Sequence, residues 1–236
     1  MNEAWCRTEH VLGTEAMEKL AAARVAIFGL GGVGGYVVEA LARSGVGRLD
    51  LIDSDRICLS NLNRQILATY DTLGMDKADA AAARVRSINP ACEVRVFKTF
   101  YLPENRDRFD FSQYDYVVDA IDTVAAKLSL IEQARAAGVP ILCAMGTGNK
   151  REPSLLRVCD LYETDNDALA RVMRRECRRR GIERLKVVYS PEEPLCLGPA
   201  LSDPEGRRRS VPGSTAFVPP AAGLLIAAEV VKALIQ

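Results

Sequence analysis

Val25-Ala-Ile-Phe28 runs straight into Gly29-Leu-Gly31-Gly32-Val-Gly34, an apolar strand followed by a G-x-G-G-x-G turn, and this stretch decides the fold. Gly29 permits the tight turn, and Gly31 with Gly32 lets backbone N–H groups approach a phosphate. Gly34 permits close packing of a helix whose N-terminus faces that anion. Four glycines within six residues weaken a turn that binds nothing, so a ligand-free turn is the poorer reading. Asp53 ends the next strand, 19 residues past Gly34, where an acidic side chain bonds ribose hydroxyls; the bland alternative is a turn or cap residue. These features alone suit NAD, FAD and ATP about equally.

Working outward, Ala16–Ala23 reads as a helix before the first strand and Val33–Arg43 as the helix after it. Strands are expected at Arg48–Ile52, Glu93–Lys98, Tyr114–Ile121 and Pro140–Met145, with helices at Asp76–Ile88 and Val124–Ala137 between them. That alternation predicts an α/β fold, a Rossmann-like doubly wound and mainly parallel sheet. After residue 146 the rhythm breaks. Leu155–Cys159 and Val187–Tyr189 read as strands bracketing a polar helix, Asp167–Arg180, followed by a Pro/Gly/Arg-rich loop over 191–213 and an apolar helix, Gly223–Ile235. The expected organisation is one domain over 1–236, with a nucleotide-binding core (1–146) and a C-terminal extension of added strands and helices (147–236).

The chain is 48% hydrophobic and 26% charged, enough for a substantial core, and its 31 basic and 31 acidic residues balance. No apolar run approaches a membrane span and the start lacks a signal pattern, so a cytoplasmic protein is expected. Seven cysteines at irregular spacing, with no C-x-x-C pair, argue against a disulfide scaffold and against structural zinc.

What separates the nucleotides lies downstream. Hydride transfer needs no extra cations near the phosphates, whereas adenylation with ATP expels pyrophosphate and must neutralise charge as the α–β bond breaks. Arg64 and Lys77 are placed to do so. Asp122 follows a strand at the carboxyl edge of the sheet, where a carboxylate can hold Mg²⁺ together with phosphate oxygens and water. Each residue has a bland alternative, as solvated surface charge or helix cap, but the three bland readings together are the weaker account.

Gly29 to Gly34, Asp53, Asp55, Asn61, Arg64, Gln65, Lys77 and Asp122 together resemble the ubiquitin-activating-enzyme superfamily, in its bacterial ThiF/MoeB/HesA group. The resemblance implies that the glycine turn, Asp53, Asp55, Asn61, Arg64, Gln65 and Lys77 bind ATP and that Asp122 binds Mg²⁺. It also implies a homodimer in which an N-terminal arginine enters the partner subunit's site. Arg7 is the best match for that arginine, with His10 as the choice of a second alignment. The later half, including Gly146-Thr-Gly-Asn-Lys150, Asp160-Leu-Tyr-Glu-Thr164 and Val187-Val-Tyr-Ser-Pro-Glu-Glu-Pro194, is similar to the tRNA threonylcarbamoyladenosine dehydratase subfamily. Asp165-Asn-Asp-Ala departs from its pattern. Membership implies ATP-driven activation of the modified nucleoside's carboxylate and its capture by the ureido nitrogen, with tRNA as partner and a sulfur-transfer protein as a further candidate partner.

A tRNA substrate demands cations. Arg171, Arg174, Arg175 and Arg178 follow i, i+3, i+4, i+7 on one predicted helix, and Arg207, Arg208 and Arg209 form a second cluster. A solvated charged face is the bland reading; arginine's fork favours phosphate. Cys177 and Cys196 read as unreactive thiols and Cys143 as core, while Phe217-Val-Pro-Pro220 and the helix after it suggest packing on the sheet and at a dimer contact. The competing functions are adenylation of a ubiquitin-like sulfur carrier, which the missing C-x-x-C pairs disfavour, and nicotinamide-dependent oxidoreduction, which leaves Arg64, Lys77 and Asp122 without a task.

Overall fold

The computed structural model describes residues 3–199 and 211–236. Its centre is a seven-stranded sheet built from β1 (Arg24–Phe28), β2 (Arg48–Ile52), β3 (Glu93–Phe97), β4 (Tyr116–Asp119), β5 (Ile141–Ala144), β6 (Arg157–Asp160) and β7 (Lys186–Tyr189). The order is β3-β2-β1-β4-β5-β7-β6, parallel throughout except for β6, which runs antiparallel to β7. The chain winds from β1 to β3 in one direction, then returns to the other side of β1 as β4. The carboxyl ends of β1 and β4 therefore flank the crevice where such sheets bind ligands.

Helices cover both faces: α1 (Cys6–Leu12), α2 (Thr14–Ala22), α3 (Gly34–Arg43), α4 (Lys77–Ile88), α5 (Val124–Ala137), α6 (Ala168–Arg179) and α7 (Val218–Leu234). Burial on both faces explains why β1 and β4 are apolar runs without alternation, each buried along its whole length. Val25, Ile27 and Val118 pack with α3, α4 and α7, while Ala26, Phe28 and Val117 pack on the opposite face with α5 and the aromatics Tyr101, Phe109 and Phe111. None of the described helices is long and apolar enough to cross a membrane.

The fold class agrees with the sequence reading; most element ends shift by one or two residues, as at β4, read as Tyr114–Ile121, and three larger differences have physical reasons. A helix, α1, precedes the expected N-terminal one, and Gly13 separates them at φ 88°. The strand expected at Leu155–Cys159 begins at Arg157, because Pro153–Leu155 makes a single 3-10 turn capped by the Glu152 carboxylate, which accepts from Ser154 N at 3.0 Å. The last helix starts at Val218 rather than Gly223, since Pro219 and Pro220 occupy the first turn, where the missing N–H groups cost nothing. That helix also packs back onto the first half of the chain. A side chain at Gly223 would sit 2.4 Å from the Val33 carbonyl oxygen, so α7 lies directly against the start of α3.

Candidate active site

The glycine turn is built for contact. Gly29 stands at φ +89°, and a Cβ there would meet the Ala120 carbonyl oxygen at 2.7 Å, because β1 and β4 end side by side. A Cβ on Gly34 would lie 1.8 Å from the Gly29 carbonyl oxygen, which fixes how closely α3 follows the strand. A Cβ on Gly31 would lie 3.8 Å from the Gln65 amide nitrogen, and one on Gly32 would lie 3.3 and 3.1 Å from the Arg64 and Pro219 side chains.

Asp53 ties this turn to β2. Its carboxylate accepts from Leu30 N at 2.7 Å and from Asp55 N at 2.8 Å. Burial pushes its pKa up, and the nearby Lys77 ammonium and the two backbone donors offset that in part. Lys77, the first residue of α4, is buried and pairs with Asp55 at 2.8 Å. Arg64 is half-buried, donating to Ser60 O at 2.9 Å and Asn63 Oδ1 at 2.8 Å, and burial lowers its pKa. Asn61 is buried and shapes the same loop, its Oδ1 accepting from Cys58 N at 3.2 Å. Buried Gln65 has an Oε1 with no hydrogen-bond partner. An open glycine cradle with two cations beside it fits the phosphates of a nucleotide, and the orphaned Gln65 acceptor fits a donor on the same nucleotide, a ribose hydroxyl or the adenine amine.

Asp122 lies exposed in the turn between β4 and α5, with Thr123 rather than Asp122 at the helix N-cap. Among the described residues no group of three or more His, Cys, Asp or Glu side chains could hold a metal. A Mg²⁺ held by one carboxylate, phosphate oxygens and water requires none. Beneath this turn lies a pair the sequence reading missed. Asp119 and Lys127 are both fully buried, 2.8 Å apart, and Lys127 also donates to the Ala144 carbonyl at 2.8 Å. The other Asp119 oxygen accepts from Ile121 N at 3.2 Å. The available signal was a single lysine inside the apolar run Val124–Ile131, a position that demands a buried partner.

Arg7 is brought nowhere near these groups. It is exposed on α1 and makes no side-chain bond to a described residue of its own chain. Two residues earlier, Trp5 Nε1 donates to the Arg43 carbonyl at 3.0 Å, at the far end of α3. That end is about 15 Å from the glycine turn, the length of a ten-residue helix. His10 is exposed on the same short helix.

The arginine face expected on α6 is split. Arg174 turns inward, donating to Thr164 O at 2.7 Å and to the Thr164 hydroxyl, so it props the loop before the helix instead of facing outward. Arg175 pairs with Glu176 at 3.1 Å, and Glu176 also takes Arg179 and Arg180. Arg178 stacks over the Tyr162 ring at 5.1 Å, and Arg171 is exposed with no side-chain partner among the described residues. Arg207, Arg208 and Arg209 lie outside the described residues. Burial pushes the Cys177 thiol up to about 11, against the neighbouring Arg180, and the thiol of fully buried Cys143 rises as well.

A doubly wound sheet with a glycine turn, an acidic strand end and paired cations at its switch point defines a nucleotide-binding protein of the dinucleotide-fold class. Within that class the chain belongs to the ThiF family, which it matches over residues 6–236. It is 37% identical over 244 residues to the tRNA threonylcarbamoyladenosine dehydratase of Bacillus subtilis, covering 100% of this chain and 96% of the relative. The crystal structure of the E. coli tRNA N6-threonylcarbamoyladenosine dehydratase in complex with ATP superposes with a TM-score of 0.86 at 32% identity, covering 99% of this chain and 96% of that one. A sulfur carrier protein adenylyltransferase of Thermus thermophilus is 34% identical, but over only 56% of this chain and 48% of that protein.

Proposed function

We propose that this protein is an ATP-dependent dehydratase that cyclises threonylcarbamoyladenosine in tRNA through carboxylate adenylation. The observation that carries the reading is likeness along the whole chain to a dehydratase, against likeness over little more than half of it to a carrier-activating enzyme. The adenylyltransferase acting on a sulfur carrier is the second reading. The reaction as written consumes no sulfur, so a sulfur-transfer partner has no step in it.

In this reading the backbone of the glycine turn receives the phosphates and Asp53 bonds the ribose. Asp55 and Asn61 hold the surrounding loops in shape. Arg64 and Lys77 face the phosphates and stabilise charge as the α–β bond breaks, while Gln65 bonds a donor on the nucleotide beside them. Asp122 would hold Mg²⁺, which screens the triphosphate and the departing pyrophosphate. The substrate carboxylate oxygen attacks the α-phosphorus and pyrophosphate leaves. The ureido nitrogen then attacks the acyl carbon, AMP leaves, and the nitrogen gives up its proton. The chain's contribution is positioning and electrostatics, and its single histidine, His10, lies on α1 away from the glycine turn of its own chain. Arg7 is too far from its own site, so its expected role is in the partner subunit of a homodimer. Such an enzyme works where tRNA is, in the cytoplasm.

The test is direct. Incubation with ATP, Mg²⁺ and tRNA carrying threonylcarbamoyladenosine should convert that nucleoside to a product lighter by one water, with one pyrophosphate released per turnover. Pyrophosphate release that responds to a carrier protein ending in glycine, and not to tRNA, would transfer the assignment to the second reading.

The helix α6 makes a separate prediction. Arg171→Ala and Arg178→Ala should each weaken tRNA binding and lower the salt slope by about one, the signature of a lost phosphate contact. Arg174→Ala should instead act on stability, because its guanidinium holds Thr164. Affinities measured by filter binding across a salt series check this; unchanged slopes for Arg171 and Arg178 would leave α6 a solvated face.

A further inference from the structure

A cavity of about 270 Å³ lies beside the nucleotide site, close to the lower end of small-molecule pockets, and none of the groups named so far uses it. Its walls include Leu195, Leu197, Asn149, Ser214 and Thr215, with Cys196 at its surface. Asn149 makes it. At φ 59° this residue occupies the left-handed region that asparagine tolerates better than most, and from there it holds three bonds. Its N–H donates to Gly213 O at 2.8 Å, its Oδ1 accepts from Gly213 N at 2.6 Å, and its carbonyl accepts from Leu195 N at 2.8 Å. One residue thus clasps both segments that wall the cavity. Below it, Lys150 is buried between the Asp167 carboxylate and the Ser190 carbonyl, and the Glu192 carboxylate accepts from Arg151 N and Glu152 N, each at 2.9 Å. The floor is rigid.

The wall formed by residues 213–215 has a second side. Asn63 Nδ2 donates to Ser214 O at 3.0 Å, and the same Asn63 side chain accepts from Arg64. The cavity and the Arg64 guanidinium are therefore separated by a single segment of chain. Adenylation needs the attacking carboxylate next to the α-phosphate, on the side away from the leaving pyrophosphate. A group seated in this cavity borders the segment that meets the Asn63–Arg64 loop, so an arm reaching over that segment points toward the Arg64 guanidinium. Leucines offer a surface for the flat face of a base, and the asparagine, serine and threonine supply hydrogen bonds for a ureido-linked amino acid. A nucleotide in a tRNA loop can be splayed out to enter such a pocket.

We infer that this cavity seats the acceptor nucleoside, a purine carrying a ureido-linked amino acid; the inference rests on the function proposed above. Cys196 reports on it. The wild-type protein is alkylated with N-ethylmaleimide, and labelling at each cysteine is followed by mass spectrometry. At about ten times its Kd, tRNA carrying threonylcarbamoyladenosine should slow labelling of Cys196 about tenfold, by occupancy alone. The same tRNA lacking the modification, and ATP alone, should leave the rate at Cys196 nearly unchanged. Equal protection by the unmodified tRNA, or none by the modified tRNA although it binds in a mobility-shift assay run alongside, would overturn the assignment. A protein that shifts neither tRNA fails at the proposed function itself, which the same assay makes distinguishable.

Discussion

Replacing Lys127 with methionine is expected to lower the melting temperature by roughly 6–20 °C, since breaking a buried pair costs about 3–5 kcal/mol and each kcal/mol shifts a domain of this size by roughly 2–4 °C. Lys127 and Asp119 are fully shielded from solvent, and the ammonium is their shared solution: it neutralises Asp119 at 2.8 Å and satisfies the Ala144 carbonyl at the end of β5. Methionine fills a similar volume, so the loss is electrostatic, an uncompensated carboxylate left between β4 and β5. The double variant D119N/K127M removes both charges and should recover much of the loss, because a neutral amide is far cheaper to bury. Thermal unfolding followed by circular dichroism reads both. A single variant within about 2 °C of the parent, where surface substitutions fall, would mean the pair contributes little. The same pair reaches the chemistry. Asp119 holds the Ile121 N–H, so its disorder moves the turn that carries Asp122.

Much of the nucleotide edge was legible because it rests on local rules. The glycine spacing, the apolar β1 and the acidic end of β2 each have one steric or electrostatic cause, and each lies within one strand–turn–helix unit. The range of α5 was readable for the same reason: Gly138 ends it in the left-handed conformation at φ 70°. What stayed hidden depends on contacts between distant segments. Helical spacing gave Arg174 a place on a face but could not show Thr164, ten residues earlier, underneath it. Arg7 carried no local signal of its distance from the site, which comes from how α1 docks on the end of α3. Asn149 stands within the Gly146–Lys150 motif, but what it does emerges only when residues 195 and 213 are seen to converge on it. Pro219 and Pro220 stand ahead of the helix read at Gly223–Ile235, although they open α7.

Asp122→Asn should separate chemistry from folding. The residue is exposed in a turn, outside the N-cap of α5, and asparagine keeps its shape, so the variant should still fold to a cooperatively melting protein. Pyrophosphate release in the presence of modified tRNA should fall by roughly 10²–10³-fold or more, the range for removing one preorganised stabiliser of transition-state charge. Asparagine keeps the size and an oxygen but loses the charge that draws Mg²⁺ against competing water. Raising Mg²⁺ should therefore restore part of the rate in D122N and leave the parent unaffected. Lys77→Met offers the contrast, because Lys77 is buried against Asp55 and lies near Asp53. Its loss should weaken ATP binding as well as turnover, without rescue by Mg²⁺. A D122N protein that turns over at the parental rate would remove the metal from this turn, and with it the reason for a carboxylate three residues past the end of β4.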